Sequence, residues 1–275
     1  GAMSRRSITP MPNPRPQSPG ESQAPDAAAT PRLQTHMEHL GIASRRHSAE
    51  LVKAGEGLVN GVRILEPGFR VQNPDRDVLT IGGRVFTPPR HGVVLRTVML
   101  NKPAGLICSS SDCHGPTVFE CLRGVRERLV CVGRLDQNSE GLLLLSNDGE
   151  LVNRLTHPRY GHRKEYLVVA SGPFDEATLE FLNSAMTIDG YRIRPAQVDY
   201  LERLPDGRNA PRHRLRFILG EGRNRQIRNM CELAGLRVQT LVRTAINGLR
   251  LPRDLRPGQW RDLGPDDLAR LEQDG

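Results

Sequence analysis

The sequence lacks any apolar run long enough to cross a bilayer. A spanning helix needs about 20 consecutive apolar residues, and the longest run here, Gly141-Leu142-Leu143-Leu144-Leu145, has the length of one buried strand. No membrane partner is expected. Cysteine is sparse and scattered: Cys108, Cys113, Cys121, Cys131 and Cys231 form no CxxC pair. An odd number spread over such a length argues against a disulfide framework and suits buried thiols in a reducing, cytoplasmic setting. Cys113 beside His114 is half of a metal site whose other half is missing, so no metal is expected. Aromatics are few, with one tryptophan and four tyrosines in 275 residues. No GxGxxG, P-loop or fixed-period repeat occurs, which leaves nucleotide cofactors without a seat.

Positive charge is what the chain has in excess. The formal charge is +8 and the pI near 9.8. Such an excess favours a polyanionic partner, because each neutralised phosphate releases counterions. Charge alone is shared by many proteins that bind no nucleic acid.

Composition divides the chain into three parts. Gly1-Ala2 ahead of Met3 reads as a cloning remnant. Residues 1–30 are rich in Pro, Ser, Ala and Arg with almost no large apolar side chains, and are expected to be disordered. Residues 31–88 read as a small α+β module. Ser44 caps a helix from Arg45 to Ala54 that Gly55 ends, and Asn60-Gly61 turns a hairpin between Leu58-Val59 and Val62-Arg63-Ile64. Phe69–Val71 and Asp77–Ile81 are two more strand-like runs. Thr87–Gly92 reads as a linker. Residues 94–275 alternate strands with helices. Strands are expected at Thr97–Asn101, Leu129–Val132, Leu142–Leu145, Lys164–Ala170, Arg214–Leu219 and Arg237–Val242, and helices at Gly149–Leu155, Asp175–Asn183 and Asn224–Ala234. The fold class is therefore α+β: a mixed, mainly antiparallel sheet behind a small N-terminal α+β module.

Three segments carry chemistry. Val132-Gly133-Arg134-Leu135-Asp136-Gln137-Asn138-Ser139-Glu140-Gly141-Leu142 sets one carboxylate in a polar loop between apolar strands. Asp136 there is either a turn residue bonding its own backbone or a working acid. In Arg223–Glu232, Ile227, Met230, Cys231 and Ala234 share one helix face, while Arg228 falls about 100° from Ile227 at its border. A half-buried guanidinium seeks a carboxylate; a solvated basic face accounts better for Arg225. In Arg163–Val169, alternation puts Lys164 and Tyr166 on one face of a strand. Tyr166 is either a core aromatic or a base-stacking platform.

With their spacing, these segments bring a resemblance. Gly-Arg-Leu-Asp at 133–136, Lys-Glu-Tyr at 164–166 and Gly-x-Asn-Arg-Gln-Ile-Arg at 222–228 resemble the motifs of the RsuA/RluB/RluF family of ribosomal RNA pseudouridine synthases. Leu100–Gly105 matches the family's opening strand and turn, and residues 32–61 resemble its S4-type RNA-binding module. The Asn-Arg-Gln-Ile-Arg and Met-Cys-Glu stretches, with Trp260–Leu263, look closest to the RluF branch, which acts on large-subunit rRNA. Asn229, Thr35, His36 and Gly57 depart from the pattern, none of them at the acid.

The resemblance implies a cofactor-free isomerisation of uridine to pseudouridine in structured, ribosomal RNA. Asp136 would act as nucleophile or base toward the ribose, with Arg228 keeping it ionised. Tyr166 would stack on the detached uracil and help move the C5 proton. Arg134 would hold the flipped nucleotide, and Leu241 would wall the pocket. Lys102, Lys164, Arg223 and Arg225 are phosphate candidates, each of which also reads as plain surface charge. Arg45 and Arg46 open a helix, where cations oppose the macrodipole; that hints at contact with an RNA backbone. A monomer is the default. A non-catalytic RNA-binding factor and a DNA-binding protein are the competing readings.

Overall fold

In a computed structural model, residues 30–88, 94–108, 115–157, 161–223 and 225–273 are described. The proline-rich segment through residue 29, the end of the linker, and Cys113 with His114 lie outside them.

The N-terminal module packs two helices on a small sheet. Helix α1 (Leu33–His39) and helix α2 (Arg45–Lys53) cover strands β1 (Gly57–Val59), β2 (Val62–Arg63), β3 (Leu79–Ile81) and β4 (Arg84–Phe86), in the order β2-β1-β3-β4. Ser44 caps α2 by accepting a hydrogen bond from the His47 amide at 3.2 Å. Asn60 and Gly61 both take positive φ, which fits the expected two-residue hairpin. Leu33, Met37, Val52, Val59, Val71, Leu79 and Ile81 form the core. Two expectations shrink here. Phe69–Val71 contributes only a bridge between Arg70 and Arg32. Asp77 stays out of the strand because its buried carboxylate accepts from the Asn73 amide, the Asn60 side chain and Arg128.

The remaining chain builds a nine-stranded, mixed, mainly antiparallel sheet. Its elements are β5 (Thr97–Lys102), β6 (Val130–Val132), β7 (Glu140–Ser146), α3 (Gly149–Thr156), β8 (Lys164–Ser171), α4 (Glu176–Leu182), a hairpin of β9 (Thr187–Ile188) and β10 (Tyr191–Arg192), β11 (Gln197–Leu204), β12 (Arg212–Leu219), α5 (Gln226–Leu233), β13 (Arg237–Ile246), β14 (Leu249–Arg250), β15 (Trp260–Asp262) and α6 (Pro265–Leu271). The order is β11-β12-β8-β13-β7-β5-β15, with β14 on β13 and β6 on β7.

Strand β7 explains its own sequence. Leu143 and Leu145 face one core, Leu142 and Leu144 a second core on the opposite side. A strand covered on both faces reads as a continuous apolar run rather than an alternating one. Strand β12 alternates instead: His213, Leu215, Phe217 and Leu219 point inward, while Arg214 and Arg216 pair outward with Glu202 and Asp199 of β11. The module is fastened to this sheet through α3, where Asn153 exchanges 2.9 Å hydrogen bonds with both backbone groups of Val85.

Every strand of the sheet pairs antiparallel except β7 with β13, which run parallel through Val242–Glu140 and Arg243–Gly141. That seam joins the half carrying β5, β6, β7 and β15 to the half carrying β8, β11, β12 and β13. The site lies beside it.

Candidate active site

The loop between β6 and β7 places Asp136. Leu135 is buried and anchors it. The Cys108 thiol lies under this anchor, donating to the Leu135 carbonyl at 3.3 Å and accepting from its amide at 3.5 Å. The Ser139 amide closes the turn on the Asp136 carbonyl at 3.0 Å. Gly105 donates to the Gln137 carbonyl at 2.7 Å. These bonds fix the backbone on both sides of the acid and leave its side chain 35% exposed.

Lys102 is the loop's main fastener, and this corrects its assignment as a phosphate ligand. Its side chain is fully buried. The ammonium donates to the carbonyls of Pro103, Gln137 and Ser139 at 3.0, 3.0 and 2.7 Å. Burial lowers its pKa, opposed by the nearby Cys108, Glu140 and Asp136. A buried ammonium is tolerable only with such partners. An exposed position was expected from a lysine at a strand end; the strand instead runs it inward.

Strand β8 supplies Tyr166 and Lys164, on one face as alternation requires. Tyr166 is buried, in register with Phe217 on one side and Arg243 on the other. Glu165 turns the opposite way and takes Arg250 in a two-pronged pair at 3.0 and 3.1 Å. Lys164 lies where burial, helped by the charge of Arg243, pulls its pKa down to about 8. Its ammonium rests against Gly222, where a Cβ would come within 3.0 Å of it.

Helix α5 and the loop before it bring the arginines. Arg225 enters the helix with φ +53°, and the Gln226 side chain folds back to accept from the Arg223 amide at 3.3 Å. Ile227, Met230 and Cys231 bury one face, as their spacing predicts, and Arg228 at its border is half-buried. Arg225, rather than Arg228, approaches the acid: its guanidinium lies 3.8 Å from Asp136. Arg228 donates to the Ser139 hydroxyl at 3.4 Å, and its Nε is buried with no partner among the described residues. Burial and then the neighbouring Arg225 lower its pKa, against the opposing charge of Asp136. Thus two guanidiniums attend one carboxylate, and the direct Arg228–Asp136 ion pair expected from the sequence is replaced by a hook onto the same loop.

These side chains line one cleft of about 770 Å³. Asp136, Tyr166, Arg228, Arg134, Leu241, Lys164, Arg223 and Arg225 all border it; Lys102, Arg45 and Arg46 do not. Arg45 and Arg46 are exposed on α2 and lie 3.7 and 3.9 Å from Glu38 and Glu50. One charged cleft residue escaped the sequence reading. Arg243 is buried, donates through Nε to the Leu142 carbonyl at 2.8 Å, and leaves Nη2 without a partner among the described residues. The signal was available: in a strand, Arg243 shares a face with Leu241. Among the described residues no cluster of three metal-ligating side chains occurs, and no helix is long and apolar enough to cross a membrane.

Comparison with known proteins identifies the family and the fold. Residues 96–233 match the RNA pseudouridylate synthase family, and residues 31–78 match the S4 domain. Ribosomal large subunit pseudouridine synthase B of Bacillus subtilis is 34% identical over 87% of this chain and 95% of its own length. The dual-specificity RNA pseudouridine synthase RluF of Escherichia coli is 32% identical over 90% of this chain and 79% of its own length. These values show no lean toward the RluF branch, which the short motifs had suggested. A crystal structure of a pseudouridylate synthase superposes with a TM-score of 0.66, covering 88% of this chain and all of that one, at 24% identity. It supports the fold alone.

Proposed function

The chain belongs to the RNA pseudouridylate synthase family, and from that premise we propose that it converts a uridine of large-subunit ribosomal RNA to pseudouridine, with Asp136 as the working carboxylate. The large-subunit substrate follows relatives such as the ribosomal large subunit pseudouridine synthase B of Bacillus subtilis. The observation that carries the residue assignment is the convergence of Asp136, Tyr166 and two guanidiniums on one cleft.

The chemistry is a rearrangement with no net redox change. The target uridine leaves its stack and enters the cleft, at a cost of a few kcal/mol. Arg134, exposed at the cleft's edge, holds the displaced strand. The Asp136 carboxylate then acts on the ribose, as nucleophile or as base, while the C1′–N1 bond breaks and its electron pair stays with the uracil. Both roles use the carboxylate form of the side chain. The uracil turns against the Tyr166 ring and rejoins C1′ through C5. The C5 proton leaves and N1 gains one, so the atoms of substrate and product balance. Arg225 and Arg228 offset negative charge around the reacting sugar, and Leu241 with Ile227 gives the base an apolar wall. The N-terminal module supplies RNA binding, with Arg45 and Arg46 facing the backbone.

Asp136→Asn tests this directly. The variant is expected to fold with an unchanged melting temperature and to lose pseudouridine formation by roughly 10³-fold or more. The readout is tritium release from rRNA labelled at uracil C5, with mapping of the modified position. Modification at the wild-type rate would overturn the assignment.

A further inference from the structure

The hairpin of β9 and β10 stands beside the cleft, and the reaction as described gives it no task. Asp189 and Gly190 turn it, both at positive φ, in the tight geometry that suits a two-residue connection. It presents Tyr191, an aromatic 37% exposed in a chain with only four tyrosines. The Arg223 guanidinium lies over the ring, and Arg223 itself lines the cleft. The hairpin's exit is stitched to the same loop. The Arg194 amide donates to Glu221 at 2.8 Å, and its guanidinium donates to the Gly220 carbonyl at 3.2 Å. An exposed ring is therefore held on the rim by a loop whose next residues enter the site.

From this placement we propose that Tyr191 and Arg223 form a stacking platform for a nucleobase flanking the target uridine. A strand that delivers one base into the cleft must break the stack on at least one neighbour, which then needs a new surface. A tyrosine ring backed by a guanidinium offers one: the cation holds the ring on one side, leaving a π-face for a base, and its remaining N–H groups face the phosphate. Stacking of this kind tolerates any base, so the platform adds grip and orientation without choosing sequence. Arg192 and Arg225, both exposed, make the surroundings positive. The proposal rests on the cleft reading above, since it needs the target base to enter there.

The test uses the full chain and in-vitro-transcribed large-subunit rRNA labelled with tritium at uracil C5. Tyr191→Ala is expected to raise KM about tenfold with kcat near wild type, while Tyr191→Phe and Tyr191→Trp stay within about twofold. An unchanged KM for the Ala variant, or equal losses for Phe and Ala, overturns the platform. If the Ala variant melts early, Tyr191→Leu against Tyr191→Trp decides: a raised KM for Leu alone supports stacking, and equal KM values refute it. The kcat of Asp136→Asn on the same RNA tests the cleft reading separately, because that failure would appear in kcat with Tyr191 intact.

Discussion

The cations of the N-terminal module and those of the cleft sit in opposite conditions. On α2, Arg45 and Arg46 are exposed and rest loosely against Glu38 and Glu50. In and under the cleft, Lys102 and Arg243 are buried on backbone carbonyls, Lys164 is partly desolvated, and Arg228 hangs from Ser139. Water solvates the first group whatever its geometry, so its members are interchangeable and its ion pairs add little. The second group has exchanged water for specific partners, and each member depends on its position. On the proposed function, RNA would be held by replaceable charges at one end and worked on by irreplaceable ones at the other.

Four measurements would break or sharpen this contrast. Lys102→Met takes the ammonium from three carbonyls, leaving that of Gln137 with the Gly105 amide alone, and should lower unfolding free energy by about 3 kcal/mol in denaturant titration. A loss below about 1 kcal/mol would put Lys102 in the class of surface charges. Arg228→Lys keeps the charge but loses the planar fork, and should reduce kcat by roughly 10- to 100-fold with little change in KM; full activity would mean that position matters less than sign. Lys164 offers a pH test. Its folded pKa of about 8 lies below the ~10.4 of an unfolded lysine, so the native state releases this proton first. Its burial penalty is fully felt below pH 8, and stability should rise as pH climbs from about 8 to about 10.4. Over pH 7 to 9 the ammonium is lost, and KM for RNA should rise by up to about tenfold; Lys164→Met should be flat in both respects. The smallest effect is expected from Arg45→Ala with Arg46→Ala: a few-fold higher KM at low salt, a shallower salt dependence, and no change in melting temperature. A rate effect that survives high salt would show that the module does more than attract.

Much of this was legible in the chain. The Leu142–Leu145 run, the apolar face of α5 and the Asn60-Gly61 turn follow periods that local geometry imposes, and each is present where the spacing put it. Strand β11 was not foreseen because only Val198 is buried along it; its polar edge carries no apolar rhythm and exists by pairing with β12. Helix α6 has its Pro265 start but only seven residues, too few to show a period. In the site, the sequence grouped Asp136 with Tyr166 and Arg228 yet mistook which guanidinium comes nearest. Arg225 reads as a solvated residue on a helical wheel, but its φ of +53° takes it off the helix and turns it toward the acid. Lys102 failed for a related reason: no pattern in a sequence reveals three carbonyls from two distant loops meeting at one point.

The parallel seam carries a consequence for how the two halves of the sheet are spaced. The acid comes from one half and the phenol and guanidiniums from the other, and β7 meets β13 through two residue pairs only. At one of them Gly141, with φ +105°, leaves so little room that a Cβ would fall 2.2 Å from the Arg243 carbonyl oxygen. A single methyl there would act as a shim between jaws: the halves would part, and the gap between carboxylate and ring would widen with them. The absent side chain at position 141 is in this sense the gauge to which the whole cleft is cut.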